Sequence, residues 1–176
     1  MPAAKSVSKS VSKSVSKSVS KSVSKSAIKS ASKPADLPLL LDTHVWIWAA
    51  EQRENELSPR ILRLIDAASR SGSVFISAIS LWEVAMLAER SRIALSVEPL
   101  QWMERASSVP GVVVVNLTPR IAVGSTRLPG NPHADPADRI LMATARDMGA
   151  RLVTRDRRII RYAETTRALA VLDASD

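Results

Sequence analysis

From Leu37 onward the chain alternates short apolar runs with helix-patterned segments, and this alternation restricts its fold more than any other feature. "LPLLLD" (37–42), "SVFIS" (73–77), "GVVVVNL" (111–117), "RLVTRD" (151–156) and "ALAVLDA" read as strands, short and apolar on both faces. Between them, "SPRILRLIDAASR" (58–70) has Ser58 as N-cap, Pro59 at the first helical position and Ile61, Leu62, Leu64 and Ile65 at helical spacing. "SLWEVAMLAER" (80–90), "EPLQWMERASS", a segment starting near Thr118 and Pro119, "DPADRILMATARDMG" closed by Gly149, and "RRIIRYAE" complete the predicted helices, with "LPGNPHA" as a loop. Strands without a polar face, separated by helices, predict one α/β domain over 37–176 with a parallel sheet covered by helices.

Residues 1–36 are of a different material. From Lys5 the sequence repeats "KSVS" and decays through "KSAIKSASKPAD". All eight lysines, at positions 5, 9, 13, 17, 21, 25, 29 and 33, lie here, so about +7 of the net +8 belongs to the tail and about +1 to the rest. A four-residue repeat of this kind buries too little apolar surface to offset chain entropy, and a disordered basic tail is expected. Such a Ser/Lys tail either binds nucleic acid loosely through counterion release or is a translated repeat without a role. It has no continuous apolar run of the kind a signal peptide needs.

The chain has no cysteine, which removes disulfides and thiolate metal sites. No apolar run reaches the roughly 18 residues of a membrane span. A soluble cytoplasmic protein without membrane association is expected.

In open parallel sheets, sites form outside the carboxyl ends of the strands. Asp42 and Asp156 fall at such ends, and Glu83, Asp135 and Asp138 fall in the first turns of helices that begin on the same side. Each acid also has a purely structural reading. Ser80 and Glu83 fit a capping box; Asp135 as N-cap, Pro136 and Asp138 make a good helix start; Arg155, Arg157 and Arg158 offer Asp156 ion-pair partners. Asp42 fits such a role least, because it follows an apolar run and "THVWIWAA" continues apolar after it. Several carboxylates on one rim repel one another unless a cation holds them, and oxygen-only ligands select a hard ion such as Mg²⁺ or Mn²⁺.

Rival chemistries lose support from what the body lacks. It has no lysine and no Gly-rich phosphate loop, which disfavours a Walker-type site, a Schiff-base enzyme and a phospho-receiver, and no G-x-S-x-G elbow of a serine hydrolase. His44 is expected to point away from Asp42, as strand neighbours do. His133 is either a substrate-facing donor or a locally satisfied loop residue. Trp46, Trp48, Trp82 and Trp102 offer base-stacking surfaces, with Trp46 and Trp82, at helical spacing, read as core or dimer surface.

"LLLDTHVWIWA", "SAISLWEVAML", "LPGNPHADPADRILMATA" and "LVTRD", in this order, resemble the PIN domain, and specifically a VapC-type ribonuclease toxin of bacterial toxin-antitoxin pairs. The resemblance spans nearly all of 38–173 and none of the tail. It implies a small Rossmann-like domain and a metal-dependent endoribonuclease in which Asp42, Glu83, Asp138 and Asp156 bind Mg²⁺ or Mn²⁺ and activate water. Asp135 would assist as an auxiliary ligand, Thr43 and Thr154 would offer hydroxyls at the strand ends, and Arg139, Arg155, Arg157, Arg158 and His133 would face RNA. A homodimer and a cognate VapB-type antitoxin are implied as well. A catalytically silent PIN-like module that binds RNA or protein, and a metal-dependent DNA nuclease, stand as alternatives.

Overall fold

The computed structural model describes residues 37–53 and 55–176; the reading of 1–36 as a basic tail lies outside the described residues. Five strands, β1 (Leu39–Leu41), β2 (Val74–Ser77), β3 (Val112–Val115), β4 (Arg151–Thr154) and β5 (Ala170–Asp173), form one sheet in the order β3-β2-β1-β4-β5. Every pairing is parallel. The chain therefore builds outward from β1 through β2 to β3, returns to lay β4 against the other side of β1, and finishes with β5. The reversal falls between β1 and β4, and this is where an open α/β sheet leaves a crevice at its carboxyl edge.

Among the described residues, seven helices cover the sheet: α1 (Thr43–Ala50), α2 (Pro59–Arg70), α3 (Ala78–Glu89), α4 (Pro99–Ser107), α5 (Pro119–Thr126), α6 (Pro136–Met148) and α7 (Arg157–Thr166). Strand alternation divides the core into two layers. Leu39, Leu41, Val74, Ile76 and Val153 point to one side, against Val45, Trp46 and Ile61. Leu40 and Leu152 point to the other, against Leu141, Met142 and Ile159. Leu152, fully buried in the second layer, should lose about 2–5 kcal/mol of stability on replacement by Ala, read from the midpoint of urea denaturation.

The predicted helix ends are present where their chemistry is local. Ser58 accepts from the Ile61 amide with Pro59 following it, and Gly149 ends α6 in the left-handed region at φ 63°. Two expectations need correction. The segment "THVWIWAA" is a helix, α1, and not an apolar extension of the strand. It is rich in β-branched and aromatic residues of modest helix propensity, and burial of Thr43, Val45, Trp46 and Ile47 between the sheet and its neighbours decides its conformation. His44 consequently lies exposed on a helix, its ring 5.8 Å from that of Trp48 one turn on. Ser80 is not the cap of α3: Ser77 is, accepting from the Ile79 amide, so the proposed Ser80/Glu83 capping box does not form and Glu83 lies in the second turn. Of the two tryptophans read as core or dimer surface, Trp46 is core, packed on Trp102, and Trp82 is 56 % exposed.

Candidate active site

The site begins with the backbone at the end of β1. The Asp42 amide donates to the Val153 carbonyl at 3.0 Å, continuing the β1/β4 ladder by one step and bringing Asp42 beside Thr154. Thr154 is fully buried, and its hydroxyl donates to Asp42 Oδ2 while its Oγ1 accepts from the Asp156 amide at 3.0 Å. One threonine thus ties together the two acids that follow adjacent parallel strands. Asp42 stands at the N-cap position of α1 but makes no side-chain cap hydrogen bond, so helix capping does not account for its carboxylate. Asp156 does cap, accepting from the amides of Arg158 at 2.6 Å and Ile159 at 3.3 Å, and none of the three neighbouring arginines forms the ion pair that would make it a surface acid.

Glu83 reaches the same rim from α3. Thr43, fully buried at the start of α1, donates to Glu83 Oε2 at 2.7 Å, and its Oγ1 lies 2.9 Å from Ser80 Oγ. Ser80 therefore serves as an internal prop between α1 and α3. Asp138 enters from the first turn of α6, where Asp135 takes the capping role by accepting from the Ala137 amide at 2.8 Å. His133, in the preceding loop, is folded in among the acids. Its Nδ1 lies 2.7 Å from Asp138 Oδ2 and its Nε2 4.0 Å from Asp156 Oδ2, and the Asp135 amide donates to the same Nδ1 at 3.1 Å.

The electrostatics record this crowding. Burial pushes Glu83 up to about 7; the charges of Asp138, Asp42 and Asp135 add to the rise, and the Thr43 hydrogen bond opposes it. Burial likewise pushes Asp138 up to about 6, with Asp42, Asp135 and Asp156 adding and His133 opposing. Asp42 is raised as well, by burial first and by Asp156, against the Thr154 hydroxyl, His44 and the Thr43 amide. Carboxylates that disfavour their own charge at one rim form a donor set suited to a cation. Among the described residues, His133, Asp138 and Asp156 have ligand atoms within 4.8 Å of one another. The chemistry of the group fits a divalent ion.

The expected substrate arginines are less free than their sequence positions suggest. Arg139 Nε donates to the Ser125 carbonyl at 3.0 Å. Arg155 pairs with Glu56 at 2.7 Å and lies over the Trp48 ring at 5.2 Å. Arg157 pairs with Asp173 at 3.2 Å. Arg158 is exposed at the start of α7. Sequence reasoning undervalued His133 and missed the Ser80–Thr43 contact. The readable signal for the histidine was its place two residues before the Asp135 cap, which turns it back over the helix start.

An all-parallel, five-stranded α/β domain with part-buried acids at its switch point defines the class of doubly wound proteins that work at the carboxyl edge of the sheet. The chain belongs to the PIN domain family: the PIN domain model matches residues 39–165. It is 37% identical over 122 residues to Ribonuclease VapC22 of Mycobacterium tuberculosis (strain ATCC 25618 / H37Rv), covering 69% of this chain and 88% of that protein. Its fold is similar to the DNA-bound VapBC structure from Salmonella typhimurium, with a TM-score of 0.56 and 19% identity over 78% of this chain and 98% of the other. It is also similar to FitAcB from Neisseria gonorrhoeae, with a TM-score of 0.53 and 21% identity over 77% and 97%. Among the described residues, no helix is long and apolar enough to cross a membrane.

Proposed function

We propose that this chain is a VapC-type toxin, an endoribonuclease that hydrolyses RNA with Mg²⁺ or Mn²⁺ held by Asp42, Asp138 and Asp156. The observation that carries this reading is the convergence of Asp42, Glu83, Asp138 and Asp156 at the β1/β4 switch point, where burial raises the pKa of Asp42, Glu83 and Asp138. Similarity to a ribonuclease supports RNA as the substrate class. Asp135, exposed at the α6 cap, adds negative charge to the same rim, and His133 adds a nitrogen donor beside Asp138.

A bound divalent cation supplies charge neutralisation at the rim and Lewis acidity toward a phosphate oxygen and water. The chain's own residues do the rest. Thr43 holds Glu83 by Oε2, leaving the other carboxylate oxygen to orient the attacking water and take its proton. A carboxylate so held lies within reach of a water at the rim, the geometry a general base needs. Thr154 keeps Asp42 and Asp156 in fixed relation, so two acids from different strands act together. Arg158, exposed at the start of α7 beside Asp156, is proposed to steer phosphate toward the rim. Family membership supports a VapB-type antitoxin and a homodimer as partners, and residues 1–36 are proposed as a separate basic tail.

Thr43→Val should lower kcat by about ten-fold or more with little change in KM, a part of the roughly 10²–10⁴ that a positioned base contributes in full; Thr43→Ser should restore most of it. The reading itself is tested by incubating the full chain with total RNA, and in parallel with single-stranded DNA, in Mn²⁺ or Mg²⁺ and in EDTA. Metal-dependent cuts in RNA alone are expected. Cleavage of DNA alone, or of neither by folded protein free of antitoxin, would overturn it.

A further inference from the structure

Beside the acidic rim, a cleft of about 480 Å³ runs along one face of α3 to the start of α6. One end is shared with the candidate site through Glu83 and Asp135. Its floor is apolar, with Met86 and Ile140, and its wall carries the indole of Trp82, 56 % exposed. At the far end are Arg90 and Arg92, both exposed, for which no acidic partner occurs among the described residues. Glu83, Met86 and Arg90 recur at three- and four-residue spacing, so they line one stripe of the helix, and Arg90 lies about 10 Å along the axis from Glu83.

An indole that remains exposed next to the acidic rim, with guanidinium groups beyond it that have no acidic partner among the described residues, has the makings of a single-strand subsite: an aromatic platform for a base and cations for the following phosphate. We propose that this cleft binds the nucleotide next to the scissile phosphate, with its base stacked on Trp82 and its far phosphate held by Arg90 and Arg92. RNA is favoured over a protein segment because the cleft is continuous with the acids at one end and cationic at the other, the order in which a strand leaving the site presents its groups. The assignment rests on the ribonuclease reading for its substrate, but binding tests it without cleavage.

The probe is a fluorescently labelled, mixed-sequence single-stranded RNA oligonucleotide, titrated with the full chain in EDTA and followed by anisotropy, with sedimentation velocity on the same samples. Trp82→Ala should weaken binding by about 5- to 150-fold, the range of one stacked base, and Trp82→Phe should retain most of the affinity. On an abasic oligonucleotide of the same length, wild type and Trp82→Ala should bind alike. Arg90→Gln with Arg92→Gln should flatten the salt dependence of binding. Unchanged RNA affinity in Trp82→Ala, an equal loss on the abasic strand, or a loss that tracks dissociation of a dimer would overturn the proposal; the last would make the indole a contact with a second copy. RNA binding that depends on Trp82 in a protein that cuts no RNA would sustain the subsite and defeat the ribonuclease reading alone.

Discussion

Asp138→Asn is expected to lower the rate of RNA cleavage by about 10³-fold or more while the domain remains folded. The side chain is nearly the same size, and the cap hydrogen bond of α6 belongs to Asp135, so the helix start keeps its satisfied amide. Its contact with His133 is retained in an altered form. Removing a part-buried charge from among Asp42, Asp135 and Asp156 also relieves repulsion, so at pH 8 without metal the variant should be at least as stable as wild type. A residue that only capped a helix would behave differently: Asn caps about as well as Asp, so the replacement would cost little stability and leave activity unchanged. Asp42→Asn should have the same catalytic effect from the other side of the switch point. Single-turnover cleavage of a labelled RNA, beside thermal melts of the same samples, separates the two accounts.

The second large effect is on pH and metal together. Glu83 and Asp138 have folded-state values raised to about 7 and about 6, and Asp42 is raised too. A group raised on folding contributes stability that is fully present below its unfolded value, near 4, and is lost as pH rises through the folded value. Metal-free protein should therefore lose stability from about pH 5 to pH 8. Discounted because the carboxylates are only part-buried, the loss is on the order of 2 kcal/mol, or several degrees in Tm. A cation that binds the ionised rim reverses the trend. Mn²⁺ should raise Tm strongly at pH 8 and little at pH 5, where binding must displace protons. Asp138→Asn should show a shallower pH dependence and a smaller response to Mn²⁺. Melting curves at both pH values, with EDTA or Mn²⁺, measure all of this directly.

What was legible in the sequence followed from local chemistry. Strands apolar on both faces gave the parallel sheet, and Ser58, Pro59, Asp135 and Gly149 marked helix ends because each acts on amides or carbonyls a few residues away. Asp42 and Asp156 could be placed on one rim because they come one and two residues after the ends of neighbouring parallel strands. α1 was illegible for a physical reason: Thr43 to Ala50 is apolar around most of its circumference, so no period separates a buried helix from a continuing strand. Glu83 was assigned to the rim although its proposed cap was wrong, since α3 begins at Ala78 and Thr43 holds the carboxylate across 40 residues. Such long-range partners leave no local mark, and the same holds for Arg155 with Glu56 and Arg157 with Asp173. Helical spacing left Trp82 as core or dimer surface, and only the packed fold reveals that its face of α3 is open.

The central claim is that the converged acids form one cation site, and electron paramagnetic resonance of free Mn²⁺ tests it most directly. Titrating Mn²⁺ into the full chain at pH 7.5 should deplete the free-ion signal in wild type, with Asp42→Asn and Asp138→Asn each removing most of the uptake. Equal uptake by wild type and both variants, or none by any of them while the wild type still cuts RNA, would contradict the account.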